Sequence, residues 1–378
     1  MSPFQLLYAQ EARPYSLWIL TTLISSWLLL KAQQQSTLQK WMFYCIATIA
    51  SFYTFLFAIT TLLAHGLYLL ISERDKFSRV MLLFLLSSLA SFVAFSPWIW
   101  ILINDPPSNY AAVPHESFGA YLKGWLRNLS LPFADFSMNE TSSQIAWLFF
   151  FLYLLLLVIA IAYAYFYLNQ FATTRAFRFL ICLLVGPFLI LLAYDVSQGG
   201  QLTTRASYLV PSLLSVQLTF GYLMASQIIQ MKRLGLLVCL FFLSVSTASS
   251  LVLVSSDTWW HKADENIHHK VATMINQTAQ PLVISDVELS LPISLSHSLK
   301  ANTQYILLPS PESSEAQWIL PEIPYSDFSD IFLYRPSERL QTEVSQTSGV
   351  ELENLIERAD NYCNCTPQVL VKVVTAVT

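Results

Sequence analysis

Long apolar runs alternate with short polar connections over the first two thirds of the chain, and the pattern stops near residue 256. A helix needs roughly 20 apolar residues to cross a hydrocarbon core of about 30 Å. Such runs predict spanning helices over 15–30, 53–71, 80–103, 145–168, 177–195, 207–229 and 234–255, with a shorter one over 41–51. The stretch 41–71 is too long for one crossing and too short for two full ones. A split near Ser51-Phe52-Tyr53 gives eight crossings, with seven as the alternative.

Beyond residue 256 the period changes. Trp260, Ala263, Ile267, Val271, Met274 and Ile275 recur at helical spacing and predict a helix over 257–279. Short apolar runs predict strands at 281–285, 305–308, 331–334 and 369–374. Helical periodicity is read over 288–300 and 351–359, and Ser337 is placed to cap another short helix. Alternating strands and helices favour a small α/β layer structure. The fold expected is a multi-pass α-helical membrane protein over 1–256, followed by a small soluble α/β domain over 257–378.

Composition sharpens the division. Only 12% of the 378 residues are charged and 54% are hydrophobic, whereas soluble domains carry about 25% charged residues. Residues 1–256 hold thirteen Lys/Arg and eight Asp/Glu, a net of +5; residues 257–378 hold seven and sixteen, a net of −9. No basic patch or stripe appears, which excludes nucleic acid as the main partner. No Gly-rich phosphate loop follows a strand, so nucleotide binding has no support.

The basic residues also predict direction. Lys31, Lys40, Arg74, Lys76, Arg79, Arg175, Arg178, Lys232 and Arg233 lie in one set of connections, and Arg13, Lys123, Arg127 and Arg205 in the other. The positive-inside rule puts the first set in the cytoplasm. The nine alternate cleanly only if 41–71 crosses twice. Residues 1–14, 104–144, 196–206 and 256–378 are then outside. The start lacks a charged region and cleavage site, so no signal peptide is expected.

Candidate chemistry is sparse in the tail. His261, His268 and His269 lack the i, i+4 spacing of helical metal ligands, and a solvated helix face explains them as well. Cys45, Cys182 and Cys239 fall inside spans, while Cys363 and Cys365 form an isolated CxC pair. Asn128, Asn139, Asn276 and Asn364 begin short glycosylation sequons. No cofactor motif is identified, and a divalent-metal requirement is left open.

Polar groups at the predicted outer ends of spans are more informative, because a charge near hydrocarbon needs a partner or a task. Glu11, Arg13 and Tyr15 precede the first span, with Pro14 at its start. One reading is a polar cleft in which Arg13 binds phosphate and Glu11 orients an acceptor or acts as base; the other is an interfacial belt with Trp18. A second cluster, Asp195 to Pro211, is a Gly-containing turn carrying Arg205 and Tyr208, and Asp195 is expected to pair with Arg205 across it. The segment 121–129 is amphipathic and suited to the interface plane. Pro97-Trp98 predicts a helix break. His65, inside a span, suits a helix–helix hydrogen bond.

The run Ser2-Pro-Phe-Gln-Leu-Leu-Tyr8-Ala-Gln-Glu11-Ala-Arg13-Pro-Tyr15 resembles the outer-edge segment of bacterial glycosyltransferase family 39 membrane proteins. These belong to the C-type superfamily, with the protein O-mannosyltransferases and aminoarabinose transferases. Gly199-Gly-Gln-Leu-Thr-Thr-Arg205-Ala-Ser-Tyr208-Leu-Val-Pro211 is similar to the family's Gly-Gly…Arg-Tyr-Leu-Ile-Pro turn, and the segments 258–276 and 281–286 look like the soluble domain of cyanobacterial members. The resemblance implies a plasma (inner) membrane enzyme moving a sugar from a polyprenyl-phosphate carrier to an acceptor outside. It also implies that Glu11, Arg13 and Tyr15 line the donor pocket, with Arg205 and Tyr208 at the carrier phosphate.

Three departures are visible. Family members carry further spans and an acidic first outer loop ahead of this motif, whereas Met1 lies just before Ser2-Pro3. The resemblance therefore implies a truncated or mis-started member, with a partner chain supplying the missing part. Phe55 stands where the family often has a polar residue, and Arg205 and Tyr208 are three apart rather than adjacent. The alternative reading is a non-catalytic protein that binds lipid-linked sugar or assists cell-envelope polysaccharide assembly. A transporter ranks third, since no convincing internal repeat is found.

Overall fold

A computed structural model describes residues 2–11, 13–73, 78–104, 117–135, 144–230, 233–255, 265–309, 320, 327–346, 350–357 and 368–375. The chain divides into two compact units, Met1–Ser255 and Ser256–Thr378.

The first unit is helical. After the short α1 (Pro3–Gln10) come α2 (Tyr15–Gln34), α3 (Leu38–Thr54), α4 (Ala58–Ser72), α5 (Arg79–Asn104) and α6 (Phe118–Ser130). Then follow α7 (Gln144–Phe171), α8 (Thr174–Gln198), α9 (Val210–Ile229) and α10 (Arg233–Ser255). Among the described residues six helices are long and apolar enough to cross a membrane: α2, α5 and α7 to α10, the apolar stretches of α7 and α10 being Leu148–Phe171 and Gly235–Ser255. Their outward faces suit hydrocarbon. On α7 alone, Leu148, Phe149, Phe151, Leu152, Leu155 and Ile159 are exposed, a patch that water would not tolerate on a monomer.

Helices α3 and α4 are shorter, at 17 and 15 residues. At 1.5 Å per residue they reach about 25 and 22 Å, short of the roughly 30 Å core. The chain breaks between them at Phe55–Phe57, not at Ser51–Tyr53 as the sequence predicts. Neither Pro nor Gly marks the place. Phe55 is extended, at φ −158° and ψ 129°, and contacts with distant aromatic rings hold it there, as described below.

Pro97 does not break α5, which continues to Asn104. A helical proline leaves the carbonyl four residues back without a donor. That carbonyl is Val93 O, and the Ser96 hydroxyl donates to it at 2.8 Å. Inside the bundle, His65 bridges α3 and α2: Nδ1 meets the Tyr44 hydroxyl and Nε2 the Ser26 hydroxyl, each at 3.1 Å. This is the helix–helix role its position suggested.

The second unit is a five-stranded sheet with helices on both faces. The elements are α11 (Glu265–Ile275), β1 (Pro281–Ser285), α12 (Ser290–Ser296), β2 (Gln304–Leu307), β3 (Asp330–Tyr334), α13 (Glu338–Ser345), β4 (Val350–Glu357) and β5 (Gln368–Thr375). The strand order is β2-β1-β3-β5-β4. The first three are parallel, and β5 runs antiparallel to β3 and β4. Leu340 and Val344 of α13 pack on one face, with Leu282, Ile284 and Leu333. Val271 and Ile275 of α11 and Leu295 of α12 pack on the other, with Val283 and Phe332. Ser337 caps α13 as its type predicts, accepting from Leu340 N at 3.1 Å.

One tail element differs from expectation. Residues 350–357 form β4, not a helix. The pairing with β5 slips between Asn354 and Glu357. Val350 and Leu352 pack on one cluster, Leu355 and Ile356 on the other. This shift of phase in a bulged strand imitates helical spacing in the sequence. His268 is not on a solvated face. It is buried, and its Nε2 meets the Tyr334 hydroxyl at 2.6 Å, while His269 is exposed. His261, Cys363, Cys365, Asn139 and Asn364 lie outside the described residues.

Candidate functional site

Two sequence segments about 190 residues apart meet at one end of the first unit, a separation set by Tyr15 and Arg205. The first is the link between α1 and α2. Pro14 takes the position before the first turn of α2, where its fixed φ costs nothing. Within the link, Arg13 Nε lies 3.3 Å from Glu11 Oε1. The Glu11 side chain is only 7% exposed and that of Arg13 58%, so the pair has a sheltered anion and an accessible cation.

An aromatic chain joins this link to the second segment. Tyr8 contacts Tyr15 edge-on, with ring centroids 4.9 Å apart. Tyr15 contacts Phe55 at 5.4 Å, and Phe55 lies against Tyr208 at 6.1 Å with 9° between planes. Phe57, 5.5 Å from Phe55, also contacts Tyr208 at 4.4 Å, and Trp18 packs on Phe55 at 4.7 Å. The turn between the two short helices therefore forms an aromatic floor shared by Tyr15 and Tyr208.

Tyr8 sits among groups from three parts of the chain. Burial pushes its phenol well above the ordinary value, and the charges of Glu11 and Tyr15 add to this. A hydrogen bond with the Ser207 side chain and the positive charge of Arg127 pull the other way. The phenol is thus a neutral hydrogen-bonding group at physiological pH, held between the two segments.

The second segment is built as a clamp. Helix α8 ends at Gly199, whose φ of 74° is the left-handed conformation that glycine accepts without strain. Two 3₁₀ turns follow, Leu202–Thr204 and Ala206–Tyr208, flanking Arg205. Asp195 does not pair with Arg205. Its carboxylate is buried and accepts from Leu202 N at 2.7 Å, Thr203 N at 2.8 Å and Thr203 Oγ1 at 2.6 Å. Those backbone donors are nearer in sequence and need an acceptor in a buried turn. Asp195 thus positions the turn. Arg205 is exposed, and among the described residues no hydrogen bond or ion pair engages its guanidinium.

Helix α6 braces the turn instead of merely lying in the interface plane. Tyr121 donates to Gly200 O at 2.5 Å, Trp125 Nε1 to Thr203 Oγ1 at 3.0 Å and Asn128 Nδ2 to Thr203 O at 3.1 Å. Gly124 allows the close approach, because a Cβ there would meet Thr204 Cβ at 2.7 Å. The outer side of α6 carries Lys123 and Arg127, both exposed. Asn128 is buried against the turn, so its sequon is not open to modification.

Between α6, α8 and the start of α9 lies a cavity of about 270 Å³ with almost wholly apolar walls, among them Trp125, Leu129, Phe188, Leu209 and Leu213. The site therefore combines exposed guanidiniums, a neutral phenol and aromatic faces, with an apolar cavity that reaches its turn at Leu209. Among the described residues no group of three or more His, Cys, Asp or Glu is arranged to hold a metal.

Of the candidate site residues read from the sequence, Tyr15 and Tyr208 both contact Phe55, Glu11 and Arg13 pair with each other in the link before α2, and Arg205 is exposed between the two 3₁₀ turns. The sequence pattern placed Tyr8 and Arg127 in polar segments near the site but gave no role to them, nor to Phe55, Phe57 or Ser207. Phe55 had one signal, as an aromatic residue in place of a polar one; Arg127 had another, its place in an amphipathic stretch. Comparison with protein-family models, with curated proteins and with solved structures found no match.

Proposed function

We propose that the chain binds a polyprenyl-phosphate-linked sugar in the outer leaflet of a plasma membrane and transfers the sugar to an acceptor there, as a glycosyltransferase of the family 39 type. The observation carrying this reading is the meeting of Tyr8–Tyr15 and Arg205–Tyr208 over one aromatic floor. Arg205 and Arg13 supply positive charge for the phosphate, and the apolar cavity of about 270 Å³ that Leu209 helps to wall suits the first prenyl units. In the transfer, an acceptor oxygen bonds to the anomeric carbon while the carbon–oxygen bond to phosphate breaks. The leaving electron pair stays on the phosphate, where fixed guanidiniums stabilise it. The acceptor proton passes to a base, for which Glu11 is the candidate.

This reading includes eight crossings, with α3 and α4 as the short pair, and puts the second unit on the outer side. The distribution of Lys and Arg supports that orientation. Because α3 and α4 are short, a floor at Phe55–Phe57 would lie below the outer surface, within reach of a lipid phosphate. One observation favours a binding protein without catalysis: the Glu11 carboxylate is engaged by Arg13.

The test is binding of polyprenyl-phosphate sugar to the full chain in detergent. Arg205→Ala is expected to weaken it about ten-fold or more, the cost of one charge-assisted contact, and Arg13→Ala less. Unchanged binding in both would overturn the phosphate pocket. Binding without sugar release to any acceptor would favour the non-catalytic reading.

A further inference from the structure

A second lipid-shaped feature lies at the other end of α2, far from Tyr15. An open groove of about 790 Å³ runs between α2 and α3. Trp27, Phe43 and Ile46 form its walls, each more than half exposed, and Ala47 and Ala50 leave its floor shallow. Lys31 and Lys40 stand at its mouth. The Lys31 ammonium lies 5.9 Å from the Trp27 ring centroid, and that of Lys40 donates to the Gln35 side chain. Neither contact neutralises charge. No Asp or Glu occurs between Glu11 and Glu73 in the sequence, so α2, α3 and their connection hold two cations without an acid of their own.

An apolar trough lined by two ammonium groups is complementary to an amphiphile with an anionic head. We propose that this groove binds an anionic glycerophospholipid, with an acyl chain against Trp27, Phe43 and Ile46 and its phosphate between Lys31 and Lys40. Basic pockets between membrane helices recognise such head groups by charge, at a few-fold in affinity per lysine. The site is separate from the aromatic floor at Phe55, and its occupancy does not depend on sugar transfer.

The experiment is native mass spectrometry of the full chain released from nanodiscs of equal phosphatidylglycerol and phosphatidylcholine. The unaltered chain is expected to retain phosphatidylglycerol preferentially. Lys31→Gln with Lys40→Gln should lower that retention about 25-fold, roughly five-fold per lysine. Lys31→Arg with Lys40→Arg should keep it, which guards against a folding defect. Ala50→Phe, which fills the floor and leaves the charge untouched, should lower retention of the lipid as well. Equal retention of the two lipids by the unaltered chain, or undiminished phosphatidylglycerol in the double Gln variant or in Ala50→Phe, would overturn the proposal.

Discussion

The ring of Phe55 lies nearly parallel to that of Tyr208, 9° between planes and 6.1 Å between centroids. A residue at an unmarked break in one apolar run thereby supports a residue of a distant turn. Phe55→Ala should remove contacts to Tyr15, Trp18 and Tyr208 together. For a half-buried ring we expect a loss of about 1–3 kcal/mol, below the range for a fully buried Phe. Thermal unfolding in detergent measures it. Phe55→Tyr, which keeps the ring, should stay close to the unaltered protein.

Asp195 should matter more for the shape of the site than for its charge. Asp195→Ala leaves the amides of Leu202 and Thr203 without their acceptor. Each buried unsatisfied donor costs about 1–3 kcal/mol. We expect a large drop in stability and weaker binding of the lipid-linked sugar in whatever remains folded. A variant with full stability but no binding would instead make Asp195 a direct ligand.

Gly124 tests the seating of α6. A methyl group there meets Thr204 Cβ at 2.7 Å, so Gly124→Ala should destabilise the protein by about 1–3 kcal/mol, as overpacking does. Thr204→Gly removes both side-chain atoms in the way. The double variant should lose less than the two single changes added together, a non-additivity that a double-mutant cycle reads directly.

Arg335 carries the one positive φ among described non-glycine residues, at 47°. Left-handed backbone tolerates Gly and resists β-branched side chains. Arg335→Gly is expected to fold with stability near that of the parent. Arg335→Val should lose about 1–2 kcal/mol, measured by chemical unfolding of the full chain.

Much of the architecture was legible because apolar burial is written locally. The long runs gave α2, α5 and α7 to α10, and Pro281–Ser285 and Asp330–Tyr334 stood out as strands because both are buried on two faces. The bulge in β4 hid a strand behind helical spacing. Pro97 misled because its remedy, the Ser96 hydroxyl, is a side-chain detail. The two polar segments of the site were found separately from their charges. Their union was not legible, since it runs through Phe55, Tyr8 and Ser207, whose contacts are long-range and whose residue types are ordinary in a membrane helix or its ends.

In the proposed function, one lipid phosphate is shared by the two segments. A polyprenyl phosphate with a photoreactive group beside the phosphate, cross-linked to the full chain and mapped by mass spectrometry, tests it most directly. Label is expected in both 8–15 and 205–213, competed away by unmodified polyprenyl-phosphate sugar and reduced in Arg205→Ala. Label confined to other helices, or equal labelling in Arg205→Ala, would contradict it.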